Sequence, residues 1–467
     1  MGTDFFENIK RIHFVGIGGV SMSGIAEILH TRGFIIQGSD RSPGSITEHL
    51  KSIGVTVFEG HNENNITNSI DLIVYTVAVK NDNPELAAGR SKNIQIVDRA
   101  FILGEIMKGY RYPICVSGIH GKTTTTSMMS QVLLDGGYDP TISVGGFFKS
   151  INGNFRVGSN DFFVNESCEY FDSFLKFYPY IGIILNIEED HLDYFKDLNQ
   201  IEDSFNKFVK LVNKNGAIVI SNNIKNLNKI LQGATAKIIT FGNEGADYSY
   251  DNLEYNDFGY SSFDILNNGR YLCHVELSVP GFHNVLNALA VFASSEYLGV
   301  PTATALIGIK NFAGTNRRFQ LKGHFNGAAI IDDYAHHPTE IKSTINGIKN
   351  IKYNKLFVVF QPHTYTRTKL LFDDFVTAFD GVDTIIVTDI YAAREVDSKE
   401  IHSKDLVKAL ENRGLHAIYI DNFDSCAKFL CNICSPNDLL ITMGAGDVYK
   451  VGDKLLLEDL STLSTGF

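Results

Sequence analysis

The plainest chemistry in the sequence lies in Gly118-Ile119-His120-Gly121-Lys122-Thr123-Thr124, between the apolar run Ile114-Cys115-Val116 and a stretch able to form a helix. Glycines let backbone N–H groups turn toward phosphate, and a helix N-terminus adds positive potential. A lysine then reaches the terminal phosphates, and the hydroxyl after it holds magnesium. The strict Walker pattern asks for glycine five residues before Gly121, and Val116 stands there, so the loop is a variant tighter by two residues. The alternative, a helix-capping Gly-Lys-Thr turn, is disfavoured by the strand before the loop together with the helix after it. The loop is expected to bind a nucleoside triphosphate.

Two further residues fit the same chemistry. Glu166 follows the apolar run Phe162-Phe163-Val164, and His191 follows Ile181-Gly182-Ile183-Ile184-Leu185. Ends of neighbouring parallel strands converge on one crevice. A carboxylate, a threonine hydroxyl and an imidazole there can complete a magnesium shell that also contains phosphate and water. Earlier in the chain, Gly16-x-Gly18-x-x-Ser21 follows the strand-like Arg11-Ile12-His13-Phe14-Val15, with Asp40 further on. This resembles a dinucleotide fingerprint without its third glycine. It leaves open NAD, the diphosphate of another nucleotide with Asp40 near its ribose, or a plain structural turn. Two loops of this kind suggest two nucleotides, one hydrolysed and one carried by the substrate.

The elements that position these residues alternate short apolar runs with helical patterns, the signature of parallel α/β architecture. A first block holds the strand at 11–15, a helix from Ile25 to Thr31, and strands at Phe34-Ile35-Ile36 and Asp71-Leu72-Ile73-Val74-Tyr75. The linker Lys108-Gly109-Tyr110-Arg111-Tyr112-Pro113 opens a second block. A third begins near Asn316-Arg317-Arg318-Phe319, with strands at 329–331, 357–360, 384–387 and 439–442. The expected domains are 1–108, 109–316 and 317–467.

Bulk properties restrict the function. A net charge of −12 argues against a nucleic-acid or anionic-membrane binder, so anionic ligands must be held by local devices. No apolar run approaches a membrane span, and Met1-Gly2-Thr3-Asp4-Phe5-Phe6 matches neither a signal peptide nor a myristoylation site. A cytoplasmic location is expected. Six cysteines in such a chain are expected to be reduced, and the Cys431-x-x-Cys434 pair lacks further ligands at zinc spacing.

Taken in order, the motifs resemble the Mur ligases over nearly the whole chain. They include Gly16-Ile17-Gly18-Gly19, Gly38-Ser39-Asp40, Gly60-His61 and Asp82-Asn83-Pro84-Glu85-Leu86. They continue through Gly121-Lys122-Thr123-Thr124-Thr125, Asn186-Ile187-Glu188-x-Asp190-His191-x-Asp193 and Gly281-x-His283-Asn284-x-x-Asn287. They close with Arg317-Arg318-Phe319, Asp332-Asp333-Tyr334-Ala335-His336-His337 and Gln361-Pro362-His363-x-Tyr365-x-Arg367.

The resemblance implies three α/β domains: a Rossmann-like UDP-binding domain, a P-loop ATPase domain and a C-terminal Rossmann-like domain. It implies that ATP activates the lactyl carboxylate of UDP-N-acetylmuramic acid as an acyl phosphate, which the amine of L-alanine then attacks. The alternative within the family is the ligase that recycles a ready-made murein peptide onto the same sugar. By resemblance Gly18, Gly19, Ser39 and Asp40 bind the UDP substrate, and Gly118, Ile119, His120, Gly121, Lys122, Thr123 and Thr124 bind ATP. Asn284, Asn287, Arg317, Asp332 and Tyr334 complete the ATP contacts, while His336 and Arg367 take the amino-acid carboxylate. Thr123, Glu166 and His191 hold Mg2+, and Lys122, Glu166, His191 and Arg367 serve catalysis. The expected partners are these small molecules, with no nucleic acid or membrane, and a monomer or homodimer as the assembly. Ser21 departs from the family's usual glycine, Asn165-Glu166-Ser167-Cys168-Glu169 from its usual acidic segment, and Thr364 from arginine. A NAD oxidoreductase would leave the Lys122 loop without a task, and a non-catalytic nucleotide-binding protein would leave Glu166, His191 and Arg367 without one.

Overall fold

The computed structural model describes residues 4–464 except 43, 77, 78, 160, 192, 193, 257, 258, 350, 394 and 398, so Asp193 of the sequence motif lies outside the described residues. The chain forms two compact units: residues 1–188, 198–241 and 290–308 make the first, and 189–197, 242–289 and 309–467 the second.

The first unit holds two sheets. Strands Thr56–Glu59, Ile35–Asp40, Arg11–Val15, Leu72–Tyr75 and Gln95–Asp98 lie side by side in that order, all parallel. Strand order reverses on the two sides of Arg11–Val15, where an open α/β sheet gathers a crevice at its carboxyl edge. Ile12, Phe14 and Val15 are fully buried, as a strand covered on both faces requires. In the second sheet the order is Lys237–Gly242, Ala217–Ser221, Ile181–Ile184, Tyr112–Ser117, Phe162–Glu166, Thr141–Phe148 and Gly153–Arg156. All neighbours are parallel except the last pair. Close glycine contacts lock the two sheets' helices in place. A Cβ at Gly24, in helix Val20–Thr31, would come within 2.1 Å of the Phe155 ring. One at Gly104, in helix Arg99–Met107, would come within 1.9 Å of the Lys176 carbonyl.

In the second unit, strands Gln320–Phe325, Ala328–Asp333, Leu439–Met443, Leu356–Phe360, Thr384–Val387 and Ala417–Tyr419 form a sheet in that order, parallel after the first pair. Alternate residues of one strand feed opposite cores. Leu356, Val358 and Phe360 join one cluster, and Phe357 and Val359 the other. This unit also carries three antiparallel strands, Tyr248–Tyr255, Tyr260–Asn267 and Arg270–Pro280. The last two meet at Asn268-Gly269, whose φ values of 48° and 74° suit a tight hairpin turn. Among the described residues no helix is long and apolar enough to cross a membrane.

Candidate active site

Strand Tyr112–Ser117 lies between Phe162–Glu166 and Ile181–Ile184, with Val116 opposite Glu166 and Ser117 opposite Ile184. The following loop therefore emerges among three carboxyl ends, as the strand pattern predicts. Gly118 and Gly121 have φ of 130° and 84°, conformations that a side chain would strain. Asn186 fixes the loop from the neighbouring strand end. Its Oδ1 accepts from His120 N at 2.8 Å and its Nδ2 donates to His120 O at 3.0 Å. Helix Lys122–Asp135 then begins without a side-chain cap, leaving its first N–H groups directed at the loop.

Lys122 Nζ donates to the carbonyls of Gly118 and Ile119 and to both oxygens of Glu169, at 3.0 and 3.2 Å. Burial opposes its charge, but Glu169, Cys168 and Glu166 more than compensate and raise its pKa. Thr123 Oγ1 donates to Glu166 Oε1 at 3.0 Å, while Gly145 N donates to Oε2 at 2.6 Å. A Cβ at Gly145 would sit 2.5 Å from that carboxylate, so glycine is what admits it. The Thr123 hydroxyl and the Glu166 carboxylate thus present hard oxygen donors side by side at the start of a phosphate-binding helix, a donor set that suits magnesium.

At the first glycine loop, Asp40 Oδ2 accepts from Gly18 N at 2.8 Å and Oδ1 accepts from Ser42 N at 3.1 Å. Gly19 caps helix Val20–Thr31 without a side chain, again leaving amide donors free for an anion. Ser39 is wholly buried, with its hydroxyl donated to Glu85 at 2.5 Å and its oxygen 2.9 Å from His61 Nδ1. Its side chain supports the strand end rather than facing outward. Glu85 also accepts from Asn65 at 2.6 Å and lies 3.4 Å from His13. Burial alone would raise its pKa, but His13, Ser39 and Asn65 bring it down to about 2.

The remaining expected residues belong to the second unit. Asn287 Nδ2 donates to Asn284 Oδ1 at 3.0 Å, and Asn284 Nδ2 donates to the Pro280 carbonyl at 2.7 Å, both side chains buried on helix Phe282–Tyr297. Arg317 Nε donates to Asp332 at 3.0 Å and Nη2 to Gly444 O at 2.6 Å, and its guanidinium lies over the rings of Tyr334 and Tyr449. Arg317, Asp332 and Tyr334 are therefore one cluster. Arg367 is gripped from two sides, with Nη2 donating to Asp190 at 3.1 Å and Nη1 lying 3.2 Å from His363 Nδ1. The His363 ring is 5.5 Å from that of His336. Burial lowers the His336 pKa to about 3, with Glu340 opposing the shift and Arg367 adding to it, so its ring is neutral. His191 adopts a left-handed φ of 52° beside Asp190, in this unit, whereas Thr123 and Glu166 lie in the first.

Several partners were not singled out by role from sequence. Asn186, Asp190 and His363 appear there only as motif members, and Glu169 had no assigned partner. Only their positions at strand ends offered a signal.

Known proteins share this pattern along the chain. Residues 11–111 match the Mur ligase family catalytic domain, 116–295 the Mur ligase middle domain, and 317–446 the Mur ligase glutamate ligase domain. The UDP-N-acetylmuramate–L-alanine ligase of Clostridium acetobutylicum is 48% identical over 447 residues, covering 96% of this chain and 97% of its own. That of Clostridium botulinum is 50% identical over 454 residues, covering 97% and 99%. The crystal structure of the UDP-N-acetylmuramate-alanine ligase of Thermotoga maritima aligns with a TM-score of 0.80 at 30% identity, covering 97% of this chain and all of that one. A murein peptide ligase from Psychrobacter arcticus shares the fold, with a TM-score of 0.67 at 24% identity over 96% of this chain and 98% of that one.

Proposed function

The chain belongs to the Mur ligase family, and we propose that it joins L-alanine to the lactyl carboxylate of UDP-N-acetylmuramate at the expense of ATP. This is the first amino-acid addition in peptidoglycan precursor synthesis. The protein has the family's three α/β domains, whose limits we place near residues 108 and 316, and it works in the cytoplasm. The observation that carries the chemistry is the phosphate loop with Lys122 against Glu169 and Thr123 against Glu166.

Gly118 to Thr124 take the triphosphate on backbone amides, and Lys122 offsets charge on the phosphoryl group as it moves. Thr123, Glu166 and His191 are the ligands we assign to Mg2+. When bound, that ion supplies electrostatic neutralisation of the phosphates. The muramoyl carboxylate oxygen forms a bond to the γ-phosphorus as the bond to ADP breaks. The alanine amine then attacks the acyl carbon, and phosphate leaves. Gly18, Gly19 and Asp40 serve the UDP moiety, with Ser39 holding the strand end beneath them. In the second unit, Asn284 and Asn287 are suited to adenine, Arg317, Asp332 and Tyr334 to the nucleotide's polar groups, and Arg367 with neutral His336 to the amino-acid carboxylate. A guanidinium matches a carboxylate in two-pronged geometry.

The reading is tested by following radiolabelled L-alanine into a UDP-linked product. Incorporation should need ATP, magnesium and UDP-N-acetylmuramate together, and should vanish in Lys122→Ala. Incorporation that survives that substitution would refute the assignment of the loop.

A further inference from the structure

Arg99 lies beside the first glycine loop of the first unit, with Asp98 next to it favouring its charge but forming no ion pair with it. It is the first residue of helix Arg99–Met107, and that helix start is firmly held. Asp98 caps it, accepting from Ala100 N at 2.9 Å and Phe101 N at 3.1 Å, and also binds Lys176 Nζ at 2.6 Å. The neighbouring carboxylate is thus already engaged, and Gly104 seats the same helix against the Lys176 carbonyl. The Arg99 side chain is partly buried and donates one hydrogen bond, from Nη1 to Ser21 Oγ at 2.8 Å. Ser21 lies in the first turn of the helix that follows the first glycine loop. The helix that Arg99 begins packs against the segment Tyr170–Lys176, which directly follows Glu169, the partner of Lys122 in the phosphate loop. Among the described residues no carboxylate lies within ion-pair reach of Arg99.

A guanidinium drawn out of water without an anion is costly, and a bound anion would offset that cost. The activating step calls for a cation that holds the attacking anion, because a carboxylate must approach a phosphate that repels it. We propose that Arg99 holds the lactyl carboxylate of UDP-N-acetylmuramate and aims it at the γ-phosphate of ATP. The inference rests on the ligase reading above. One carboxylate oxygen stays on the guanidinium while the other forms the bond to phosphorus, the bond to ADP breaks, and no proton is transferred. Burial lowers the pKa of Arg99, but an arginine so placed keeps its charge at neutral pH. Ser21, where the family usually has glycine, contributes the hydroxyl that orients the side chain.

The test compares UDP-N-acetylmuramate with UDP-N-acetylglucosamine, which lacks the lactyl group, by calorimetric binding to the full-length wild type, Arg99→Gln and Arg99→Lys. If Arg99 reads the carboxylate, Arg99→Gln weakens UDP-N-acetylmuramate by about 10- to 100-fold, the size of a charge-assisted hydrogen bond. UDP-N-acetylglucosamine binding stays unchanged, which also shows that the variant is folded, and kcat for phosphate release falls. Arg99→Lys recovers part of the affinity, and it stands in should Arg99→Gln fail to fold. Equal loss for both ligands would assign Arg99 to the diphosphate or to the loop's structure and overturn the proposal, as would no loss for either. A wild type that shows no turnover with UDP-N-acetylmuramate and L-alanine would instead sink the ligase reading itself.

Discussion

Replacing Glu169 with alanine isolates one buried charge and shows how the phosphate loop is held before ATP arrives. The Glu169 side chain has no exposed surface and Lys122 only 12%, with Nζ 3.0 Å from the nearer carboxylate oxygen. Removing the acid leaves an ammonium hydrogen-bonded to the carbonyls of Gly118 and Ile119, with Glu166 still favouring its charge. Breaking a buried ion pair from one side costs about 3–5 kcal/mol. At about 2–4 °C per kcal/mol for a block of this size, the first unit's melting temperature should fall by about 6–20 °C. Glu169→Gln should fall less, because an amide oxygen still accepts from Lys122. Saturating ATP should narrow the gap between wild type and Glu169→Ala, since the phosphates give Lys122 a new anionic partner. Scanning calorimetry with and without ATP reads all three. An unchanged melting temperature in Glu169→Ala would refute the reasoning, and so would a gap that widens with ATP.

Other expectations follow from particular contacts. Asn186→Ala removes both bonds to the His120 backbone and should raise the KM for ATP by about tenfold, with the KM for L-alanine unmoved, measured by steady-state kinetics. Glu85 is held at about 2 in the folded chain against 4.5 for an ordinary glutamate, so it favours folding above pH 4.5 and loses that contribution as pH falls toward 2. Glu85→Gln should therefore cost about 3 kcal/mol at pH 7 in urea unfolding, with the difference shrinking below pH 4.5. Gly104→Ala places a methyl against the Lys176 carbonyl and should destabilise by about 1–3 kcal/mol, which thermal melts would reveal.

Much of the site was legible because parallel α/β folds put chemistry at strand ends. Once Ile114-Cys115-Val116 and Phe162-Phe163-Val164 are read as neighbouring strands, Lys122, Thr123 and Glu166 fall together without further information. The pairs that bridge distant segments were not legible. Lys122 and Glu169 are 47 residues apart, Arg367 and Asp190 are 177, and no local pattern encodes such proximity. The buried group of His13, Ser39, His61 and Glu85 was hidden for another reason, since each residue alone looks like a surface polar residue. The antiparallel strands over 248–280 were overlooked although Asn268-Gly269 and the alternation of Cys273, Val275, Leu277 and Val279 are hairpin signals. An expectation of parallel strands left them no place. Ser39 illustrates the limit of motif reading, because its neighbour Asp40 meets the loop backbone while Ser39 itself is spent on Glu85.

The most direct test of the central claim is phosphate release from ATP and magnesium with UDP-N-acetylmuramate present and the amino component varied. Release that depends on L-alanine, and disappears in Glu166→Ala, is the predicted result. Release triggered by an L-alanyl-γ-D-glutamyl-diaminopimelate tripeptide but not by L-alanine would contradict it in favour of peptide recycling, and no release with either would contradict the ligase reading altogether.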